Sequence, residues 1–488
     1  MGIRTRIKSL PIYLYIIFAV VVFVNVYLLV CHEPWRDEAQ AWLIARDVKI
    51  SDLFLVLSQE GHPLLWYAVL FPFARLGIPY IALNIISSLL VDTALFFLLL
   101  FAPFRSITKA VLAVSPMFVY FVSVISRSYS LCALLVILIA AVYHDRSRHS
   151  VLYGFLIALL FQTHMLMVGM AFILWYVWLL SFLKSRKINK GSGESSKSSI
   201  VGLLLPFLSI VLLVAEFSGI FTSVALSKSI VSEKPILLAV FGIIAALFLA
   251  LIAALVLNKR SSAFVYLNET IIGAMTVAWQ IAVFFVYRHM TSRWITIVYA
   301  IVFIVWIILD IKKETPNKDA SFLKRLSCPM ALNIYLILFI VGYTIVTHGY
   351  SLAIKDIQSA YSDSKNAAEF INEQISSDSI IVCNSEESCN ALVPYLDGRT
   401  IYSPFSEREL SFVNRDARCL HSMSYTQFVD TCRRMFPDEK SIYCVFSRET
   451  ALTDVPEDLF DYVKMLYQSR FDSTIYKEEY SVFILDLK

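Results

Sequence analysis

Charge is scarce in this chain. Asp, Glu, Lys and Arg make up 16% of its 488 residues, against roughly a quarter in an ordinary soluble domain, so water alone would not keep it dissolved. Glycine is scarce as well, at 14 residues. After residue 350 only Gly398 occurs, so the C-terminal part has no Gly-rich turn to cradle a nucleotide's phosphates. The net charge of +4 is small and its basic residues lie between apolar runs, which gives a nucleic-acid partner no support. Five of the eight cysteines (Cys383, Cys389, Cys419, Cys432, Cys444) fall in the tail. Their spacings match no zinc pattern, and disulfide pairing and a plain core role both stay open.

Apolar residues dominate instead, at 58%, grouped in runs near the length a bilayer of roughly 30 Å demands. The first, Pro11 to Val30, follows Arg4, Arg6 and Lys8 but is too long for a signal peptide and lacks a small-residue cleavage site, so it reads as a retained anchor. Candidate spans are 11–30, 79–102, 110–125, 129–143, 150–163, 165–183, 200–219, 236–257, 270–287, 294–310 and 330–349, eleven in all. The run from Pro63 to Leu76 holds Pro72 and is too short to span; it reads as a helix lying in the interface. With that choice the loops predicted to be cytoplasmic hold 19 Lys and Arg, against 9 in the opposite loops, as the positive-inside bias requires. Counting 63–76 as a span would invert every later loop and place Lys184–Lys197 and Lys312–Arg325 outside.

The predicted fold class is therefore a polytopic α-helical membrane protein with about eleven transmembrane helices. A membrane module spans residues 1–350, with a first outer loop at 31–78, and a soluble extracytoplasmic domain spans 351–488. The tail alternates helix-like and strand-like runs: Ser364–Ile375, then 379–383, 399–403, Tyr425–Phe436, 441–446 and 481–487. That order predicts a small α/β domain. Asn189–Ser199 reads as a flexible inner linker without chemistry, and the Asn268 sequon falls on the inner side.

The first outer loop runs Cys31-His-Glu-Pro-Trp-Arg-Asp-Glu-Ala-Gln-Ala-Trp and continues to Glu60-Gly-His-Pro-Leu-Leu-Trp-Tyr67. An acidic pair just beyond the first span, followed by a His-Pro and an interfacial aromatic helix, resembles the GT-C superfamily of polyprenyl-phosphate-sugar-dependent glycosyltransferases, within it the protein-mannosyltransferase-related branch. The resemblance runs through residues 11–183, and the tail is similar to the variable outer domain that many such enzymes carry. It implies that Asp37 is the catalytic base, since transfer needs a carboxylate to take the acceptor hydroxyl's proton. Asp37 also precedes a helix-like run, where an N-cap is the plain alternative.

Beside it, Glu38 is a candidate for orienting the base or touching substrate, and His62 for hydrogen-bonding the donor phosphate. A divalent metal, if one is used, would be held by Asp37, Glu38 and His62; no cofactor is otherwise implied. Ile125-Ser-Arg127-Ser-Tyr129 resembles the superfamily's Arg-x-Tyr turn, so Arg127 would pair with the departing phosphate, with Tyr129 beside it; snorkelling at a span end is its alternative. His164 at another outer turn, and Arg288 with His289, complete the substrate-binding set. Trp35, Trp42, Trp66 and Tyr67 read as interfacial anchors. Asp92 and Glu216, within spans, mark either function or a polar helix contact.

The expected activity is an inverting glycosyl transfer from a polyprenyl-phosphate-linked sugar to a hydroxyl of a glycan, lipid or protein acceptor. It would take place at the outer face of a bacterial cytoplasmic (inner) membrane, with no nucleic acid involved. A transporter or flippase of lipid-linked sugars is the competing class; such proteins show internal repeats and midplane binding residues, whereas this sequence has no repeat and Asp92 is its only midplane acid.

Overall fold

The computed structural model describes residues 3–60, 62–188, 194–222, 272–273, 275–276, 278–279, 294–314, 329–413, 422–470 and 474–487. The expected spans 236–257 and most of 270–287, with Arg288, His289, Asn268 and Cys419, lie outside them. Among the described residues five helices are long and apolar enough to cross a membrane: Ile12–Cys31, Ala82–Phe101, Met165–Leu183, Lys197–Phe217 and Pro329–Thr347. Three shorter apolar helices, Tyr129–Tyr143, Ser150–Phe161 and Ile295–Asp310, accompany them. The run after the first loop forms the short helix Leu65–Arg75, whose Trp66, Tyr67 and Leu70 are buried against the first-loop helix Arg36–Asp47.

One expected span is broken. Helix Ser106–Val114 ends before Pro116, and a π-helical turn, Met117–Phe121, follows. Proline has no N–H and its ring excludes the carbonyl four residues back, while the preceding Ser115 takes the extended conformation that a following proline imposes (φ −63°, ψ 150°). Within a membrane the freed carbonyls must find donors. Asn25 Nδ2 donates to Phe118 O at 3.2 Å, Ser87 Oγ to Val122 O at 3.1 Å, and Asn84 Nδ2 to Val124 O at 3.4 Å. Asn25 Nδ2 also donates to Asp92 Oδ1 at 3.0 Å. Asp92 is therefore a polar contact between spans, and the break delivers an irregular segment, residues 122–128, to the end of the bundle.

The C-terminal region folds around a six-stranded sheet. Strands β1 (Ile381–Cys383), β2 (Tyr402–Ser403), β3 (Arg408–Glu409), β5 (Ser441–Ser447), β7 (Lys464–Gln468) and β8 (Tyr480–Asp486) stand in the order β3-β2-β1-β5-β8-β7. β1 pairs in parallel with β2 (Val382 opposite Tyr402) and with β5 (Val382 opposite Cys444), whereas β5 and β8 are antiparallel. β4 (Met423–Ser424) and β6 (Leu452–Thr453) form a separate parallel pair. Alternation along β5 sends Ile442, Cys444 and Phe446 to one face and Val445 to the other. Helix Tyr425–Met435 covers the first through Phe428 and Cys432, and helix Ser364–Gln374 the second through Ala367, Ala368 and Ile371. Cys383, Cys389, Cys432 and Cys444 are buried free thiols within these cores.

The two parts meet over the first loop. Ala391 is buried in the cluster of Trp42, Leu43 and Trp66, Tyr395 packs edge-on to Tyr80 with ring centres 5.3 Å apart, and Trp35 lies against Tyr476.

Candidate active site

Helix Arg36–Asp47 opens the site. Its N-cap is Trp35, not Asp37, and its first turn carries Asp37 and Glu38 on different sides. Glu38 is fully buried. Its Oε2 accepts the Trp35 N–H at 3.2 Å, satisfying the backbone at the helix start, and its Oε1 accepts the Ser126 N–H at 2.6 Å. Glu38, expected to orient the base or touch substrate, does not line the cavity described below, its oxygens meeting backbone and His32. What it does is tie the 122–128 segment to the first loop.

His32 lies beneath, with Nε2 3.1 Å from Glu38 Oε2 and Nδ1 2.8 Å from Asp356 Oδ2. Tyr120 donates to the same Asp356 oxygen at 3.0 Å, and the Tyr361 ring packs edge-on to the imidazole. Burial alone would lower the His32 pKa, but Glu38 and Asp356 outweigh it and lift it to about 10, so both ring nitrogens donate. A buried imidazolium between two carboxylates fastens the first loop to helix Gly349–Gln358, which leads into the tail.

At the far side of this clamp, Arg127 Nη1 sits 2.7 Å from Asp37 Oδ2. Burial acts to lower the Arg127 pKa, yet Asp37, with Tyr129 and Glu38, raises it above the usual value. The pair opens onto a cavity of about 400 Å³ whose lining includes Asp37, Glu60, His62, Trp66, Tyr67, Arg127, Tyr129 and His164, with Arg36, Gln40, Glu387, Asn390 and Val413. The His62 and His164 rings meet edge to face at 4.9 Å, and His164 stacks on Tyr129 at 4.8 Å. The Leu166 N–H donates to His164 Nδ1 at 3.1 Å. His62 precedes helix Leu65–Arg75 and its Nδ1 lies 2.9 Å from Glu60 O.

Five of the sequence-predicted residues, Asp37, His62, Arg127, Tyr129 and His164, therefore share one cavity. Glu38 stands behind it, and Arg288 and His289 lie outside the described residues. Among the described residues no three His, Cys, Asp or Glu side chains are grouped to hold a metal ion; Glu38 turns from Asp37 and His62 toward His32.

Sequence reasoning missed the wall contributed by the tail. Gln40 Nε2 donates to Glu60 Oε1 at 2.8 Å, and Gln40 Oε1 accepts from Asn390 Nδ2 at 3.0 Å and from Val413 N at 2.8 Å. Glu478 holds the start of the same helix, its carboxyl accepting the Arg36 N–H at 3.3 Å; burial raises its pKa to about 8. No local pattern marks these residues, which stand 350, 373 and 442 positions from their partners on the first-loop helix.

No family model matches the chain, and no curated protein matches it. The structure is similar to the crystal structure of ArnT from Cupriavidus metallidurans bound to undecaprenyl phosphate, with a TM-score of 0.45 and 11% identity over 97% of this chain and 98% of that one. A likeness of this degree decides neither family nor activity.

Proposed function

We propose that this chain is a membrane glycosyltransferase that moves a sugar, with inversion, from a polyprenyl-phosphate donor to an acceptor hydroxyl at the outer face of the membrane. The observation that carries the reading is the Asp37–Arg127 pair at 2.7 Å on the wall of a cavity of about 400 Å³ shared with His62, Tyr129 and His164. A carboxylate and a guanidinium side by side on the wall of a polar pocket can serve as base and phosphate partner of one displacement.

In this mechanism the donor phosphate takes Arg127 from Asp37. The guanidinium exchanges one anion for another, so its charge stays compensated while the carboxylate is released to accept a proton. The acceptor hydroxyl then gives its proton to Asp37 Oδ2 and attacks the anomeric carbon from the face opposite the phosphate. The C–O bond to the phosphate breaks, its electron pair leaves on the lipid phosphate, and Arg127 stabilises that charge. Glu38 acts only by position, holding both sides of the pair in register. The excess of Lys and Arg in the opposite loops supports an outer placement of the first loop and tail, and a bacterial cytoplasmic membrane is the setting proposed.

The test is acceptor-dependent release of free polyprenyl phosphate by the purified full chain in lipid nanodiscs, over a panel of polyprenyl-phosphate sugars. Asp37→Asn should lower that release by roughly 10²–10⁴-fold with an unchanged melting temperature. Near-normal transfer by the variant would remove Asp37 as base, and donor translocation without release would favour the transporter.

A further inference from the structure

The helix that carries Asp356, Gly349–Gln358, follows the span Pro329–Thr347 across a turn at His348 (φ 49°, ψ 30°). Its side chains fall into three sectors. Leu352 and Ala353 pack on the core of the bundle, and Asp356 is buried against His32 and Tyr120. The other two sectors are both exposed, and they differ in chemistry. Tyr350, Ile354 and Ile357, spaced i, i+4, i+7, make one stripe, 43%, 53% and 41% exposed. Ser351, Lys355 and Gln358 repeat that spacing one residue on and are exposed as well. The Tyr350 hydroxyl donates to the Val114 carbonyl, so it already has its acceptor.

A helix on a water-facing surface exposes a polar face, and one in the hydrocarbon core exposes apolar side chains. Two exposed stripes of opposite character, side by side on one short helix, suit the boundary between those solvents. There apolar side chains meet acyl chains, a tyrosine ring sits at headgroup level and a lysine reaches toward phosphates. The chain supplies the continuity. Ile345 and Val346, 65% and 51% exposed, lie at the end of the span that precedes the apolar stripe, and the exposed side chains of a span face lipid.

We infer that helix Gly349–Gln358 docks on the lipid bilayer at the acyl–headgroup boundary of the leaflet nearest the tail, with Tyr350, Ile354 and Ile357 among acyl chains and Ser351, Lys355 and Gln358 among headgroups. The buried sector passes that depth to the candidate site. Asp356 meets His32 at 2.8 Å, His32 meets Glu38 at 3.1 Å, and Glu38 accepts the N–H of Ser126, the residue before Arg127. The helix thereby sets the height of the Asp37–Arg127 pair relative to lipid phosphates; this consequence, unlike the docking, rests on the glycosyl-transfer reading.

The test uses the full chain in nanodiscs of phosphatidylcholine and phosphatidylglycerol, with Ile354→Cys and Ser351→Cys each carrying a nitrobenzoxadiazole label. The parent chain, taken through the same labelling, sets the background from its own cysteines. The label at position 354 should be quenched by lipids bearing a nitroxide on the acyl chain and shielded from aqueous iodide, and the label at 351 should show the reverse. Ile357→Cys stands in for Ile354→Cys if that variant does not fold. Any other pattern, such as equal iodide quenching at both positions, would overturn the docking. For the height, Ile354→Glu should raise the KM for a polyprenyl-phosphate sugar roughly 5- to 10-fold, the worth of a half-exposed isoleucine's contact with acyl chains, with kcat and melting temperature unchanged, while Ile354→Leu keeps the parent value. An unchanged KM in Ile354→Glu would remove the role in height and leave the docking standing. Lipid-quenched labels in a chain that releases no polyprenyl phosphate would sink the transferase reading and leave the docking untouched.

Discussion

His32 shows how one side chain can hold two distant segments in a fixed charge state. With its pKa lifted from an ordinary 6.5 to about 10, it binds its second proton more tightly folded than unfolded. Its contribution to stability is therefore complete below pH 6.5 and is lost as pH rises toward 10. Glu33 and Glu478 act in the same direction at lower pH. Burial raises them to about 7 and about 8, so the folded state holds their protons more tightly and loses that advantage as pH climbs from 4.5. The melting temperature of the full chain should accordingly fall between pH 7 and pH 10. In His32→Gln it should start lower at pH 7 and fall less steeply, and parallel curves for the two proteins would show that the imidazolium is not the cause. None of this could be read from sequence: His32 stands beside the acidic pair, but Asp356, which completes its charge, is 324 residues away.

At the scale of elements, the helix that carries Asp37 was legible from the acidic pair and the apolar run behind it, and its position relative to Arg127 was not. The Arg-Ser-Tyr segment reaches Asp37 because Pro116 ends a helix early and because Glu38 accepts the Ser126 N–H at 2.6 Å. The first cause is visible in sequence; the second exists only once the chain is folded. Helix pairing supplies a sharper test. A Cβ on Gly154 would stand 1.9 Å from the Gly202 carbonyl oxygen, and one on Gly202 would stand 2.3 Å from that of Ser150. Helices Ser150–Phe161 and Glu194–Thr222 thus touch backbone to backbone, as small residues permit in membranes. Gly154→Leu or Gly202→Val should force them apart and lower the melting temperature in nanodiscs by several degrees, whereas Gly342→Ala, where added atoms meet nothing within 4 Å, should leave it unchanged. Equal melting of all three would show that the close crossing is not needed.

For the whole molecule, the loop charges make a prediction about sidedness. A cysteine placed at Tyr462, 81% exposed on the C-terminal region, should react with an impermeant thiol reagent in intact cells, above the background of the parent chain. One at Arg148, exposed in the 144–149 loop, should react only after permeabilisation, and the opposite pattern would invert the site's compartment. Long apolar runs, the short Pro63–Leu76 segment, the alternating strands of the tail and the acidic pair could all be read directly, because each depends on residues near one another in the chain and on a solvent of known thickness. Where the tail sits depended on tertiary structure. Gln40 could be taken for one more polar residue on a loop helix; it became the joint of the cavity because Val413 and Asn390, far along the chain, meet its amide with matching donors. Burial is what gives such meetings their weight, since a hydrogen bond or ion pair removed from water must be completed by whatever the fold brings beside it. Local sequence therefore determined which elements form, and folding alone decided which charges and amides would face each other across the site.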